Sequence, residues 1–228
     1  MSVAAIVLAA GSSSRYGGAN KLLLPFGDEL VVQRAVRTVR EAGIERIVVV
    51  TGHQSQVVIA ALANMSCEFV HNPRHAQGEM ISSIQVGLRH LVDSDMRAAL
   101  IVLGDQPLLP AWIIRRLIEA FEHGCGEIVA PRFGAQRGHP VLISRKHWDE
   151  ALRLPDGAPM RTLLFMHPND LAQIVVNTDA VLRDVDTPEL YAEALQLAPP
   201  HPGPLPEGEG VTTDPNTARS LRANPNRG

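Results

Sequence analysis

Residues 3–21 read VAAIVLAAGSSSRYGGANK, and this stretch decides the fold. An apolar, strand-forming run from Val3 to Leu8 empties into a loop of small residues. The loop carries two cations, Arg15 and Lys21, six residues apart, and no acid. Glycines at 11, 17 and 18 let the backbone bend sharply and approach a ligand closely. A buried strand that ends in a glycine-rich cationic loop is how an open α/β sheet builds a phosphate site. The two common phosphate loops do not fit. Gly11 is followed by three serines, so G-x-G-x-x-G is absent. Lys21 lies three residues past Gly18 and precedes Leu22, so G-x-x-x-x-G-K-[ST] is absent as well.

Outward from this loop, strand and helix patterns alternate to about residue 197. Strands are expected at 3–9, 46–51, 68–71, 98–103, 127–131, 140–144, 172–177 and 182–185. Continuous apolar runs such as IVVV at 47–50 and ALIVL at 99–103 imply burial on both faces, as in a parallel sheet covered by helices. Val32, Ala35, Val36 and Val39 fall at helical spacing, with Gly43 as a plausible C-cap. Residues 79–92 place Met80, Ile84, Gly87, Leu88 and Leu91 on one stripe. Trp112, Leu117, Ile118 and Phe121 repeat the theme after Pro110. The fold class expected is α/β: a doubly wound, mostly parallel sheet with helices on both faces, in a single domain over 1–198. Its ligand belongs at the carboxyl ends of the strands.

Composition sets the outer bounds. A chain of 228 residues can bury a substantial core. A net charge of −3 argues against nucleic acid as the main partner. Cys67 and Cys125 lie far apart without metal spacing and are expected to be reduced. The start carries no charged segment followed by an apolar one, and no apolar run reaches membrane length. A soluble, cytoplasmic protein without membrane contact is therefore expected. Residues 199–228 hold seven of the seventeen prolines and no aromatic residue, so they are expected to form a disordered tail.

Several polar segments fall at the expected strand ends. Leu103-Gly104-Asp105-Gln106-Pro107 presents Asp105 at the edge where Arg15 and Lys21 belong, and Pro107 stops the strand. Asp184-Val185-Asp186-Thr187-Pro188-Glu189 makes Asp186 an N-cap candidate, with Pro188 in the first turn and Glu189 favourable to the helix dipole. Of Asp184 and Asp186, expected on opposite faces, Asp186 is favoured as the site residue. Asn72-Pro73 is followed by Gly78, Ser82 and Ser83 at a helix start, where hydroxyls and free N–H groups suit a phosphate. Arg137-Gly138-His139-Pro140 precedes a strand, and Asp156-Gly157 precedes Arg161.

Taken together, these motifs resemble those of the molybdenum cofactor cytidylyltransferases, within the superfamily of molybdopterin-guanylyltransferase-like nucleotidyltransferases. L-A-A-G-x-S-x-R-x-G-x-x-x-K at 8–21 resembles the family signature, and Ala10 stands where the guanylyl enzymes typically carry a glycine. D-V-D-T-P-E-L at 184–190 and G-H-P-V-L at 138–142 are similar to further family segments. Residues 72–87 are similar with Glu79 as an extra residue, and 156–164 with an extra residue before Arg161.

The resemblance implies Mg²⁺-dependent transfer of a cytidylyl group from CTP to the terminal phosphate of molybdopterin, with release of pyrophosphate. Arg15, Lys21 and Asp105 would be the catalytic residues, and Asp105 and Asp186 would hold the metal. Leu8, Ala9, Ala10, Gly11, Ser12, Asn72 and Gly78 would join Arg15 and Lys21 in binding the nucleotide. Ser82, Ser83, His139 and Arg161 would face the acceptor. An apo molybdenum hydroxylase would be the client for the product. Three alternatives stand beside it: transfer to a sugar phosphate or isoprenoid precursor, a reduced-nicotinamide oxidoreductase, and a non-catalytic cofactor carrier.

Overall fold

The computed structural model describes residues 2–76 and 80–198. The tail expected at 199–228 and Gly78 lie outside them. In chain order the strands are β1 (Val3–Ala9), β2 (Pro25–Phe26), β3 (Glu29–Leu30), β4 (Ile47–Thr51), β5 (Glu68–His71), β6 (Ala98–Leu103), β7 (Ile128–Phe133), β8 (Gln136–Arg137), β9 (Val141–Ser144) and β10 (Leu171–Val175). The helices are α1 (Val31–Glu41), α2 (Ser55–Ala61), α3 (Met80–Leu91), α4 (Ala111–Glu122), α5 (Trp148–Arg153), α6 (Arg161–Met166) and α7 (Pro188–Leu197). None of these helices is long and apolar enough to cross a membrane.

The main sheet runs β10-β7-β9-β6-β1-β4-β5, with β8 paired to β7. All neighbours are parallel except β9, which lies antiparallel between β6 and β7, and β8. The sheet is thus mostly parallel but mixed. Strand β1 buries both its faces because its residues alternate between two cores. Ala5, Val7 and Ala9 pack with Val32, Val36, Val58 and Ile113 from α1, α2 and α4. Ala4 and Ile6 pack with Ile81, Ile84, Leu88 and Leu163 from α3 and α6. From β1 the chain moves to β4 and β5 on one side, then crosses back to β6 on the other. The switch point lies between β1 and β6, and a crevice opens there at their carboxyl ends.

Residues 182–185 are not a strand. Asp179–Leu182 forms a 3-10 turn capped by Thr178, whose hydroxyl accepts from the Ala180 N–H at 3.2 Å. Ala180, Val181 and Val185 are the buried residues here. Past the turn, the Val185 N–H reaches the Asp105 carbonyl at 3.0 Å, a single bond in place of a ladder.

Gly138 marks where this segment crosses the sheet edge. Its N–H donates to the Pro131 carbonyl at 3.0 Å, and the His139 N–H donates to the Val181 carbonyl at 2.9 Å. A Cβ on Gly138 would lie 2.2 Å from the Val181 oxygen, which is backbone and cannot rotate away. Gly138→Ala should therefore cost about 2 kcal/mol or more. Urea unfolding of the variant measures this cost; an unchanged midpoint would refute the close approach.

Candidate active site at the β1–β6 switch point

The first loop is built to hold Lys21 in place. Ser13 adopts the left-handed conformation (φ 52°), a 3-10 turn spans Ser14–Tyr16, and Gly17 and Gly18 follow at φ 60° and 102°. Consecutive positive φ values are cheap only for glycine. The chain then turns back, so that the Lys21 N–H donates to the Ser13 hydroxyl at 3.1 Å and the Leu22 N–H to the Asn20 side chain at 3.1 Å. Leu22 is buried in the core beneath. Lys21 is thus anchored on both sides, with its side chain aimed across the crevice.

There its ammonium meets two carboxylates. Lys21 Nζ donates to Asp105 Oδ2 and to Asp186 Oδ1, and Arg15 donates to Asp186 Oδ2 at 2.8 Å. The Lys21 side chain is 12% exposed and that of Arg15 65%, so one cation is enclosed and the other faces solvent. Burial opposes the Lys21 charge, but Asp105 and Asp186 outweigh it and push its pKa up. Burial likewise opposes ionisation of Asp186, and Lys21 with Arg15 overcomes it, so Asp186 sits below the usual carboxylate range. Asp184 goes the other way. Burial raises it, and the neighbouring Asp186 and Asp105 charges raise it further.

A cleft of about 250 Å³ is lined by Leu8, Ala10, Gly11, Leu103, Asp105 and Asp186, with Asp184, His75, Met80 and Ser83 completing it. Asp184 and Asp186 therefore share one cleft, against the expectation of opposite faces: residues two apart on an extended backbone lie on the same side. The expected capping role of Asp186 also falls to its neighbour. Thr187 caps α7, its hydroxyl accepting from the Leu190 N–H at 3.3 Å. This leaves the Asp186 carboxylate to the cations. The Tyr16 hydroxyl stitches the segment to the first loop, lying 2.8 and 2.7 Å from the Val185 and Thr187 carbonyls. No sequence motif marks His75 as part of this cleft or Tyr16 as the residue that braces its wall.

The remaining expected residues fall in three places. Ala9 is buried in β1, and Ser12 is exposed beside the cleft. Asn72 has no exposed surface, and its amide serves Ser82 at 2.9 Å, Ser83 at 3.0 Å and the Arg74 N–H at 3.0 Å. It positions the start of α3 and does not itself line the cleft. His139 and Arg161 line a different cavity of about 740 Å³, together with Arg137, Gln136 and Gln173. Ser82 and Ser83 are thus not brought together with His139 and Arg161. Loss of solvation pulls the His139 pKa down against the upward pull of Asp105, and its buried Nδ1 has no partner among the described residues. Arg137 stacks on Phe165 at 5.1 Å. Neither Arg137 nor Arg161 pairs with a carboxylate among the described residues. Asp156 forms an ion pair with Arg74 at 2.7 Å, which ties the β5–α3 loop to the α5–α6 loop.

The chain is similar to known proteins over most of its length. The molybdenum cofactor cytidylyltransferase of Escherichia coli K12 is 27% identical over 192 residues, 84% of this chain and 94% of that protein. The nicotine blue oxidoreductase of Paenarthrobacter nicotinovorans is 28% identical over 200 residues, 82% of this chain and 93% of that one. The structure of Rv0371c from Mycobacterium tuberculosis H37Rv in complex with manganese superposes with a TM-score of 0.72 at 27% identity, covering 86% of this chain and 99% of that chain. The MobA-like NTP transferase domain family matches residues 5–197. With that match spanning nearly all of the described chain, and with the glycine loop, lysine and carboxylates converging on one crevice, the protein belongs to the MobA-like NTP transferase domain family.

Proposed function

We propose that the protein transfers a cytidylyl group from CTP to the terminal phosphate of molybdopterin, giving the cytosine dinucleotide form and pyrophosphate. The observation that carries this reading is the Lys21 ammonium held between Asp105 and Asp186 at the mouth of the glycine loop. A phosphate monoester is already anionic near neutral pH, since its second pKa is about 6, so the attack needs no general base. The barrier lies in bringing anions together and in the charge that develops on the leaving pyrophosphate. Cations, backbone donors and carboxylates are what such a site must contain, and a nucleophile triad is not required.

Lys21 and Arg15 neutralise the triphosphate, with exposed Arg15 nearer the departing pyrophosphate. Leu8, Ala10 and Gly11 offer backbone groups to base and ribose, with Ser12 at the loop's outer side. Asp105, Asp184 and Asp186 present only carboxylate oxygens to one cleft, the donor set that suits Mg²⁺. Bound there, the ion would supply charge neutralisation at the phosphate oxygens. Ser83 sits at the cleft wall, and Arg137 and Arg161, which pair with no carboxylate among the described residues, give the second cavity a cationic lining for the phosphate-bearing acceptor. The choice of cytosine rests on Ala10 and on the name of the E. coli relative.

The test is pyrophosphate release with Mg²⁺ and molybdenum cofactor, comparing CTP, GTP, ATP and UTP. Release with CTP alone is expected. Release with GTP would keep the chemistry and overturn the base choice, and no release from folded protein would overturn the transfer reaction. A second reading, redox chemistry with a reduced nicotinamide, is favoured by the identity to the nicotine blue oxidoreductase. Thermal unfolding separates the two: Mg-CTP should raise the melting temperature and NADPH should not.

A further inference from the structure

A second cluster of metal-type ligands lies away from the cleft, at the opposite edge of the sheet. His147 ends the turn after antiparallel β9, and Glu150 sits one turn on in α5. His167 caps the end of α6, and Asp170 immediately precedes β10. Two i, i+3 pairs, His147–Glu150 and His167–Asp170, thereby converge from separate elements. Ligand atoms of His147, His167 and Asp170 all lie within 4.8 Å of one another.

The geometry around His147 is what points to an ion. This side chain is 3% exposed, and its Nε2 is buried without a hydrogen-bond partner among the described residues. Yet Nε2 lies 3.0 Å from Asp170 Oδ2. The two atoms stand at ion-pair distance but off the line of a good hydrogen bond. Two ligands on one tetrahedral Zn²⁺, each at about 2.0–2.1 Å, stand about 3.4 Å apart. The His147 and His167 rings are 4.3 Å apart between centroids. The other charged groups facing the cluster are Glu150, in contact with His167 Nε2 and 3.9 Å from His147 Nδ1, and Lys146, 3.0 Å from Asp170. Lys146 is 57% exposed and free to swing into solvent.

We propose that His147, His167 and Asp170 form a zinc site, with Glu150 as the outer carboxylate beside His167 and water in the fourth position. Two imidazoles and one carboxylate suit Zn²⁺ better than Mg²⁺, which takes oxygen ligands. An outer carboxylate that orients a ligating histidine is the usual companion of such a site. The ion would join the turn after β9, the end of α6 and the start of β10, which are also tied at this edge by the Lys146–Asp170 ion pair (3.0 Å), the Ile128 N–H to the Asp170 carbonyl (2.9 Å) and the Asp170 N–H to the His167 carbonyl (3.1 Å). The site is independent of nucleotide transfer.

The test is titration of the full chain with ZnCl₂ by calorimetry and thermal unfolding, in excess Mg²⁺ so that the cleft carboxylates are masked. One Zn²⁺ per chain and a raised melting temperature are expected, and Co²⁺ should give the visible absorption of a four-coordinate ion. His167→Gln and Asp170→Asn should each weaken Zn²⁺ binding more than tenfold and leave pyrophosphate release unchanged. Either variant alone suffices should the other fail to fold, since both side chains are partly exposed. No Zn²⁺ binding under excess Mg²⁺, or equal binding by folded variants, would overturn the site.

Discussion

Asp105→Asn should lower kcat/KM for pyrophosphate release by about 10³-fold while the protein stays folded. The size follows from the position of the carboxylate. It lies two residues past β6 at the switch point, faces the same cleft as Asp184 and Asp186, and lies against the Lys21 ammonium. An amide keeps the shape but loses the charge that would hold a divalent cation against phosphate oxygens. Losing one electrostatic contact at a developing charge costs about 10²–10³-fold, and here the lost group also serves the metal. Stability should change by less than about 1 kcal/mol. The lost Lys21 contact is partly offset by relief of repulsion from the other two carboxylates, and Lys21 keeps Asp186 as a partner. Steady-state kinetics beside a urea unfolding curve measure both. A rate within tenfold of the parent would remove Asp105 from the chemistry, and a collapsed unfolding midpoint would make its role structural.

Much of the site can be read from residue order because the sheet is parallel. In such a sheet a strand's last residues define the ligand edge, so the runs ending at Leu8 and Leu103 bring Lys21 and Asp105 to one crevice before any coordinate is known. The third carboxylate segment is harder. Residues 182–185 carry a strand-like composition, but Thr178 caps a 3-10 turn over Asp179–Leu182, and the chain beyond it makes one backbone bond to Asp105 in place of a ladder. Asp184 joins Asp186 in the cleft, and Thr187 takes the cap that Asp186 could have filled. The antiparallel insertion of β9 is invisible for a related reason. Residues 141–143 are apolar and buried in either direction, and direction is set by where the chain comes from. That insertion moves His139 and Arg161 into a cavity of their own, apart from Ser82 and Ser83. Asn72 shows the same limit at one residue: its place at a strand end is legible, while its full burial beneath Ser82 and Ser83 depends on how α3 packs.

Lys21→Met should separate two roles that the parent combines in one side chain. Methionine fills a similar volume without charge, so loss of the triphosphate contact should lower kcat/KM by about 10²-fold. Divalent metal binding in the absence of nucleotide should move the opposite way and tighten. In the parent the ammonium occupies the space between Asp105 and Asp186 and neutralises them; without it, three carboxylates face one cleft with only exposed Arg15 nearby. Stability should fall by about 2 kcal/mol at neutral pH, the cost of an unpaired, partly enclosed carboxylate pair discounted for solvent access. The pH dependence has a defined sign. Asp186 is held below the ordinary carboxylate range by Lys21 and Arg15 against its burial, so it stabilises the parent above that range and loses this as pH falls through its lowered pKa. Asp184 is raised by burial and by its neighbours, so its ionised form costs stability that acid relieves. The deficit of Lys21→Met should therefore be largest near pH 7 and shrink as the carboxylates take up protons. Unfolding curves from neutral to acid pH, with Mn²⁺ titrations of the free protein, test both halves. Weaker Mn²⁺ binding in Lys21→Met, or a deficit that grows toward acid pH, would mean that Lys21 does not stand in the cation position between Asp105 and Asp186.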